Sequence, residues 1–182
     1  GSANVGIGVN VMQNLTTGNS NMSIGGSSGS AITTGLGNCL IGSGAGGSIT
    51  TGSYNMAIGT NSLRTATTQG YNAAIGFQAL YTNNPSFSVA IGSESGYGGA
   101  NRLNGLYLGA YAGNAATAAT QIAIGYGAGY GNSIDQTLAI DYNPSFTSDA
   151  TPLISGNFST DRVGINTAHA SLAQTLHVTG TA

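Results

Sequence analysis

Lysine and tryptophan are absent from this chain, and its 182 residues include only three arginines, five carboxylates and one cysteine. With 4% charged residues and a net charge of −2, it has no basic cluster to neutralise phosphates, so nucleic-acid binding is not expected. The lone Cys39 excludes an intrachain disulfide. No apolar run approaches the length of a bilayer span, and no basic segment leads into an apolar core near residue 1, so neither membrane insertion nor a signal peptide is expected. Gly1-Ser2 reads as the scar of a removed expression tag and is set apart from the fold. Low charge with abundant glycine, serine, threonine and asparagine would suit disorder. However, the chain is 40% apolar, and that content recurs in fixed phase, which argues for order.

What the chain does contain is one short pattern, repeated. NVGIG at 4, NMSIG at 21, NCLIG at 38, NMAIG at 55, NAAIG at 72, SVAIG at 88, GLYLG at 105, QIAIG at 121 and TLAID at 137 are nine copies. From Gly8 to Asp141 their closing residues are 17, 17, 17, 17, 16, 17, 16 and 16 apart. A fixed period this short means one supersecondary unit stacked many times. Within each copy, two apolar positions flank a single residue, as Met56 and Ile58 flank Ala57. Read at period 2, this is a short strand burying the flanking pair. With one such strand per copy, the simplest pairing is parallel, each strand beside its equivalent one copy away. Helix fits poorly, because glycine, asparagine and threonine are weak helix formers and no 3.6-residue pattern survives the glycines.

The closing glycine suits a corner. Three residues beyond it runs a small column, Ser28, Ala45, Ser62, Ala79, Ser95, Ala112 and Ala128, which either faces an axis where chains meet or fills a cramped corner inside one chain. TTG turns follow in the early copies, and Asn4, Asn21, Asn38, Asn55 and Asn72 open the next strand, where a side chain can bond local backbone or stack in a ladder. The expected fold is an all-β parallel solenoid or β-roll of nine 16–17-residue coils over residues 3–141, roughly 40 Å long at about 4.8 Å per coil. The period breaks near Tyr142. Residues 142–182 read as an irregular β segment, with short strands expected at 153–154, 162–165 and 175–178.

Groups that carry chemistry are few. His169 and His177 stand eight residues apart without a cysteine or acidic pair at metal-ligand spacing, so no metal site is expected. The carboxylates Glu94, Asp135, Asp141, Asp149 and Asp161 are scattered, whereas a glycosidase needs two facing each other. GSGAGG at 42–47 matches a dinucleotide loop only loosely and lacks the strand-then-helix context. No cofactor is implied and no enzymatic activity is expected. Cys39 shares the column of Val5, Met22 and Met56 and reads as a buried small hydrophobe. Phe77, Tyr81, Phe87, Tyr97, Tyr107, Tyr111, Tyr126 and Tyr130 cluster in the later copies. Tyr97, Tyr111, Tyr126 and Tyr130 are the candidate receptor contacts, because tyrosine pairs an apolar body with a hydroxyl; alternatively, these rings pack against neighbouring chains or cover turns. The threonine pairs at 16–17, 33–34, 50–51 and 67–68 raise an ice-binding alternative.

The copies NMAIGTNSL at 55, NAAIGFQAL at 72 and IAIGYGAGYG at 122 resemble the repeats of bacteriophage tail fibres and are similar to the β-roll heads of trimeric autotransporter adhesins. DRVGINTAHASLAQTLHV at 161–178 resembles the segment that precedes an endosialidase-type intramolecular chaperone domain in many phage tail fibres. The resemblance implies a homotrimer of parallel chains in an outward-facing fibre on a virion tail or a bacterial surface, with tail-fibre or baseplate proteins as further partners and a host surface glycan as a possible ligand. The expected function is therefore structural, a shaft supporting host attachment. A carbohydrate-binding adhesin module is the alternative, and a capsule depolymerase a more distant one.

Overall fold

A computed structural model of the chain describes residues 1–82, 85–98, 104–117, 120–146, 152–159 and 162–165. Eleven strands form one sheet in chain order. They are β1 (Val5–Ile7), β2 (Met22–Ile24), β3 (Cys39–Ile41), β4 (Met56–Ile58), β5 (Ala73–Ile75), β6 (Val89–Ile91), β7 (Leu106–Leu108), β8 (Gln121–Ile124), β9 (Thr137–Ile140), β10 (Ile154–Asn157) and β11 (Arg162–Ile165). Strands β1 to β9 pair in parallel, each with its equivalent one repeat away, so that Ile58 lies between Ile41 and Ile75. The described residues form an all-β parallel solenoid of about seven turns, without a helix.

Strand β10 then pairs antiparallel with β9, and β11 antiparallel with β10. Two of the three strands expected after Tyr142 are thus present and continue the sheet of the repeats. The third, at 175–178, lies outside the described residues.

The strands face the opposite way from the period-2 reading. Their middle residues Ser23, Leu40, Ala57, Ala74, Ala90, Tyr107, Ala123 and Ala139 are buried inside the coil, while the flanking apolar residues point outward. Volume explains the inversion. A coil of 16 or 17 residues encloses a narrow interior, and the small column Ser28, Ala45, Ser62, Ala79, Ser95, Ala112 and Ala128 is buried there too. Of the two readings of that column, the cramped interior of one chain is the observed one.

Large interior side chains trade places with small ones from coil to coil. Leu40 reaches towards Gly29 and Gly46, at whose α-carbons an added Cβ would come within 2.9 and 2.8 Å of its methyl groups. Where the strand contributes only Ala57 or Ala74, the position equivalent to Gly46 holds a buried Leu63 or Leu80 instead. The ring of Tyr107 lies between Gly96 and Gly113, which makes this tyrosine core and removes it from the set of surface aromatics. Close packing of this kind tolerates neither voids nor added methylenes.

The corners use left-handed backbone in register. Asn10, Ser27, Gly44, Asn61, Gln78, Glu94, Tyr111 and Gly127 form one such column, with φ between 52° and 66°. Ala3, Ser20, Gly37, Tyr54, Tyr71, Phe87 and Asn104 form another, with φ between 55° and 63°. None of these left-handed residues is β-branched, as expected where a branched Cβ would collide with the following carbonyl; at the equivalent place of the second column in the next copy, Thr120 is not left-handed.

The opening asparagines do both things their position allows. Asn38 Nδ2 donates to Asn21 Oδ1 at 3.0 Å and to the Gly52 carbonyl at 2.9 Å, while Asn38 Oδ1 accepts from the backbone N–H and from Nδ2 of Asn55, both at 3.0 Å. The same set recurs along Asn4, Asn21, Asn38, Asn55 and Asn72, and the row passes to the Ser88 backbone at 3.1 Å. A second row runs beside it. Thr16, Thr33 and Thr50 each donate a hydroxyl to the carbonyl of the equivalent threonine one coil on, at 2.9 to 3.2 Å. Those hydroxyls are engaged along the axis.

Candidate functional site

Turning the flanking residues outward creates the dominant surface of the molecule. One column begins with Ile7, Ile24 and Ile41 and runs through every strand to Ile140, Ile154 and Ile165, with leucine substituted once, at Leu108. Beside it runs Val5, Met22, Cys39, Met56, Ala73, Val89, Leu106, Ile122 and Leu138, continued across the hairpin by Val163. Ile7 is 59% exposed and Ile165 52%, and the rest of the stripe is exposed or half-buried. At about 4.8 Å per strand, eleven strands make a stripe close to 50 Å long. No charged residue occurs in either column. An apolar patch of this extent marks an interaction surface.

Cys39 lies on this stripe. It is half-buried and on the outer face, which corrects its expected place in the interior.

The four candidate receptor tyrosines are all half-buried and divide into two groups. Tyr97 stacks on Tyr81, with ring centroids 5.3 Å apart and planes 22° apart. Tyr111, Tyr126 and Tyr130 converge on Phe146, at 4.9, 5.5 and 5.3 Å. Phe146 follows the repeats and had no column to announce it. Between the groups, Glu94 accepts a 3.3 Å hydrogen bond from the buried amide of Asn114.

Comparisons with protein-family models, curated protein sequences and solved structures find no match to this chain. Function therefore has to be argued from its own surfaces. Among the described residues, no group of three or more histidine, cysteine, aspartate or glutamate side chains could hold a metal ion, and no helix is long and apolar enough to cross a membrane. His169, His177, Asp149 and Asp161 lie outside the described residues.

A third aromatic group joins Phe87 to two rings outside the expected cluster. Tyr54, Tyr71 and Phe87 stack along the axis, with centroids 5.3 and 5.2 Å apart and planes 25° and 6° apart. They are 54%, 58% and 62% exposed. The available signal was columnar, because each stands two residues ahead of the first strand residue of its own copy.

Proposed function

We propose that this chain is a structural shaft segment of a homotrimeric fibre of the bacteriophage tail-fibre type, built of nine coils and supporting host attachment from a virion tail or a comparable bacterial surface. The observation that carries this reading is the uncharged apolar stripe on the outer face of the sheet. Left in water it would be a liability, whereas three parallel copies facing each other across an axis would cover it along its whole length. A copy of the same chain has the same axial repeat, so contacts made in one coil recur in the next. The rows of strand, asparagine and threonine hydrogen bonds suit a part that holds position. The resemblance of the repeats and of residues 161–178 to tail-fibre segments points the same way, and tail-fibre or baseplate proteins would be the further partners.

Light scattering is expected to give a mass three times the 17.9 kDa of the chain. A bulky maleimide is expected to label Cys39 at least tenfold more slowly in the native protein than after denaturation, because the thiol sits on the covered stripe. A monomer whose Cys39 reacts at the denatured rate would overturn the reading.

A second reading, a module that binds a host surface glycan, is favoured by one observation: three half-exposed tyrosines gather around Phe146. In that case, Tyr111→Ala with Tyr126→Ala is expected to reduce adsorption to host cells at least tenfold without changing the mass in solution. Unchanged adsorption counts against it.

A further inference from the structure

The stripe that would hold copies together cannot by itself align them. Its main column places isoleucine at almost every strand, so sliding one copy past another by one coil, about 4.8 Å, still sets isoleucine against isoleucine along nearly the whole length. Association through that column is translationally degenerate, as in a β-pairing whose register nothing specifies, and the second column varies only among apolar side chains. Charge does not break the degeneracy, because the stripe has none.

One exposed feature is confined to three successive coils and borders the stripe. Tyr54, Tyr71 and Phe87 stand two residues ahead of the stripe residues Met56, Ala73 and Val89. The scaffold does not require them, since the same column holds Ser20, Gly37 and Asn104 in other coils. Their backbone is left-handed, with φ of 58°, 61° and 55°. Bulky side chains there sit on backbone that L-residues seldom adopt, and the coil closes equally over serine, glycine or asparagine at that place, which points to a role outside the chain that bears the rings.

The rings also present the wrong surface for a sugar. Their faces are turned to one another along the axis, so mainly ring edges are left exposed, whereas a pyranose stacks on an open ring face. An edge-on ladder at the rim of an apolar stripe fits packing against a neighbouring chain, and the chain whose repeat matches it coil for coil is another copy of this one.

We propose that Tyr54, Tyr71 and Phe87 set the axial register between copies of this chain, acting as a three-coil key that matches in one alignment only. This rests on the homotrimeric reading above, and the test separates the two. Cys39, on the stripe one coil before the ladder, is the probe. Copper-phenanthroline oxidation joins two thiols only where their Cβ atoms approach within about 4.5 Å, less than a one-coil slip. In the native oligomer, Cys39 of one copy is expected to join Cys39 of another. Copies carrying Cys39→Ser with Met56→Cys, mixed with wild type during refolding, are expected to give little mixed disulfide.

The variant Tyr54→Ser with Tyr71→Gly and Phe87→Asn uses only residue types already found in that column. It is expected to keep the oligomer mass, lose at least threefold in the Cys39–Cys39 product and gain the mixed one. Phe87→Asn alone is expected to move both products the same way by a smaller factor. If the variants keep both the mass and the wild-type disulfide pattern, the ladder does not set register. If they become monomeric, it supplies affinity instead, and the register role is overturned. A wild-type monomer would defeat the oligomeric reading itself.

Discussion

Gly42→Ala is expected to lower stability by about 2–6 kcal/mol, whereas Gly26→Ala, in the preceding coil, changes it by less than about 0.5 kcal/mol. Gly42 turns the corner after β3 with φ of 134°, a backbone conformation that L-residues rarely adopt. A Cβ there would lie 2.5 Å from the carbonyl oxygen of Gly59 and 2.6 Å from its carbon. Neither side can retreat without loss. The obstacle is backbone, and the Gly59 N–H is already bonded to the Ile41 carbonyl at 2.7 Å, so moving the corner aside breaks the coil-to-coil contact. A Cβ at Gly26 meets nothing within 4 Å. Urea unfolding of the two variants decides the matter, and similar midpoints would mean that the corner column is not sterically closed.

Asn38→Ala is expected to cost about 3–5 kcal/mol and Asn4→Ala about 1 kcal/mol, although the residues are equivalent in the repeat. Removing the Asn38 side chain leaves the Asn55 N–H and the Gly52 carbonyl without the partners they have in the folded chain. Each buried group so stranded costs roughly 1–3 kcal/mol, and the vacated volume adds to the loss. Asn4 stands at the more open end of the row and is only half-buried. Asn38→Asp is a sharper variant, because a carboxylate retains the acceptor and loses the donor to Gly52. Thermal unfolding that ranks Asn38→Ala no worse than Asn4→Ala would refute a cooperative ladder.

The position of every repeat strand was legible, because the NxxIG copies keep their phase even as the turns drift from ITTG at 32 to AATAAT at 115. The asparagine row was legible for the same reason. Sidedness was not. Period-2 logic assigns the more apolar pair to the inside, and Met56 and Ile58 are more apolar than Ala57. What decides the orientation is the volume a short coil can enclose, and the small residues at Ala57, Ala74 and Ala90 were that signal. The same rule misplaced Cys39 and missed the outer stripe. Tyr107 was hidden because only the paired glycines, Gly96 and Gly113, tell that a large ring fits there. Phe146, which gathers Tyr111, Tyr126 and Tyr130, belongs to no column, so no periodic argument could reach it.

The side-chain rows have a mechanical consequence. A pull along the rod loads its coil-to-coil hydrogen bonds lengthwise and in series, so the structure is as strong as its weakest interface. From Asn4 to Asn72 every interface is reinforced by an amide bridge, and the early ones also by a threonine bridge. Beyond Ser88 the asparagine row gives way to Gly105, which has no side chain to contribute, and then to Gln121, whose amide bonds within its own coil to Gly129. Under tension the first half of the rod would hold through these continuous rows, whereas after Ser88 side-chain bridging passes to isolated contacts such as that of Asn114 with Glu94.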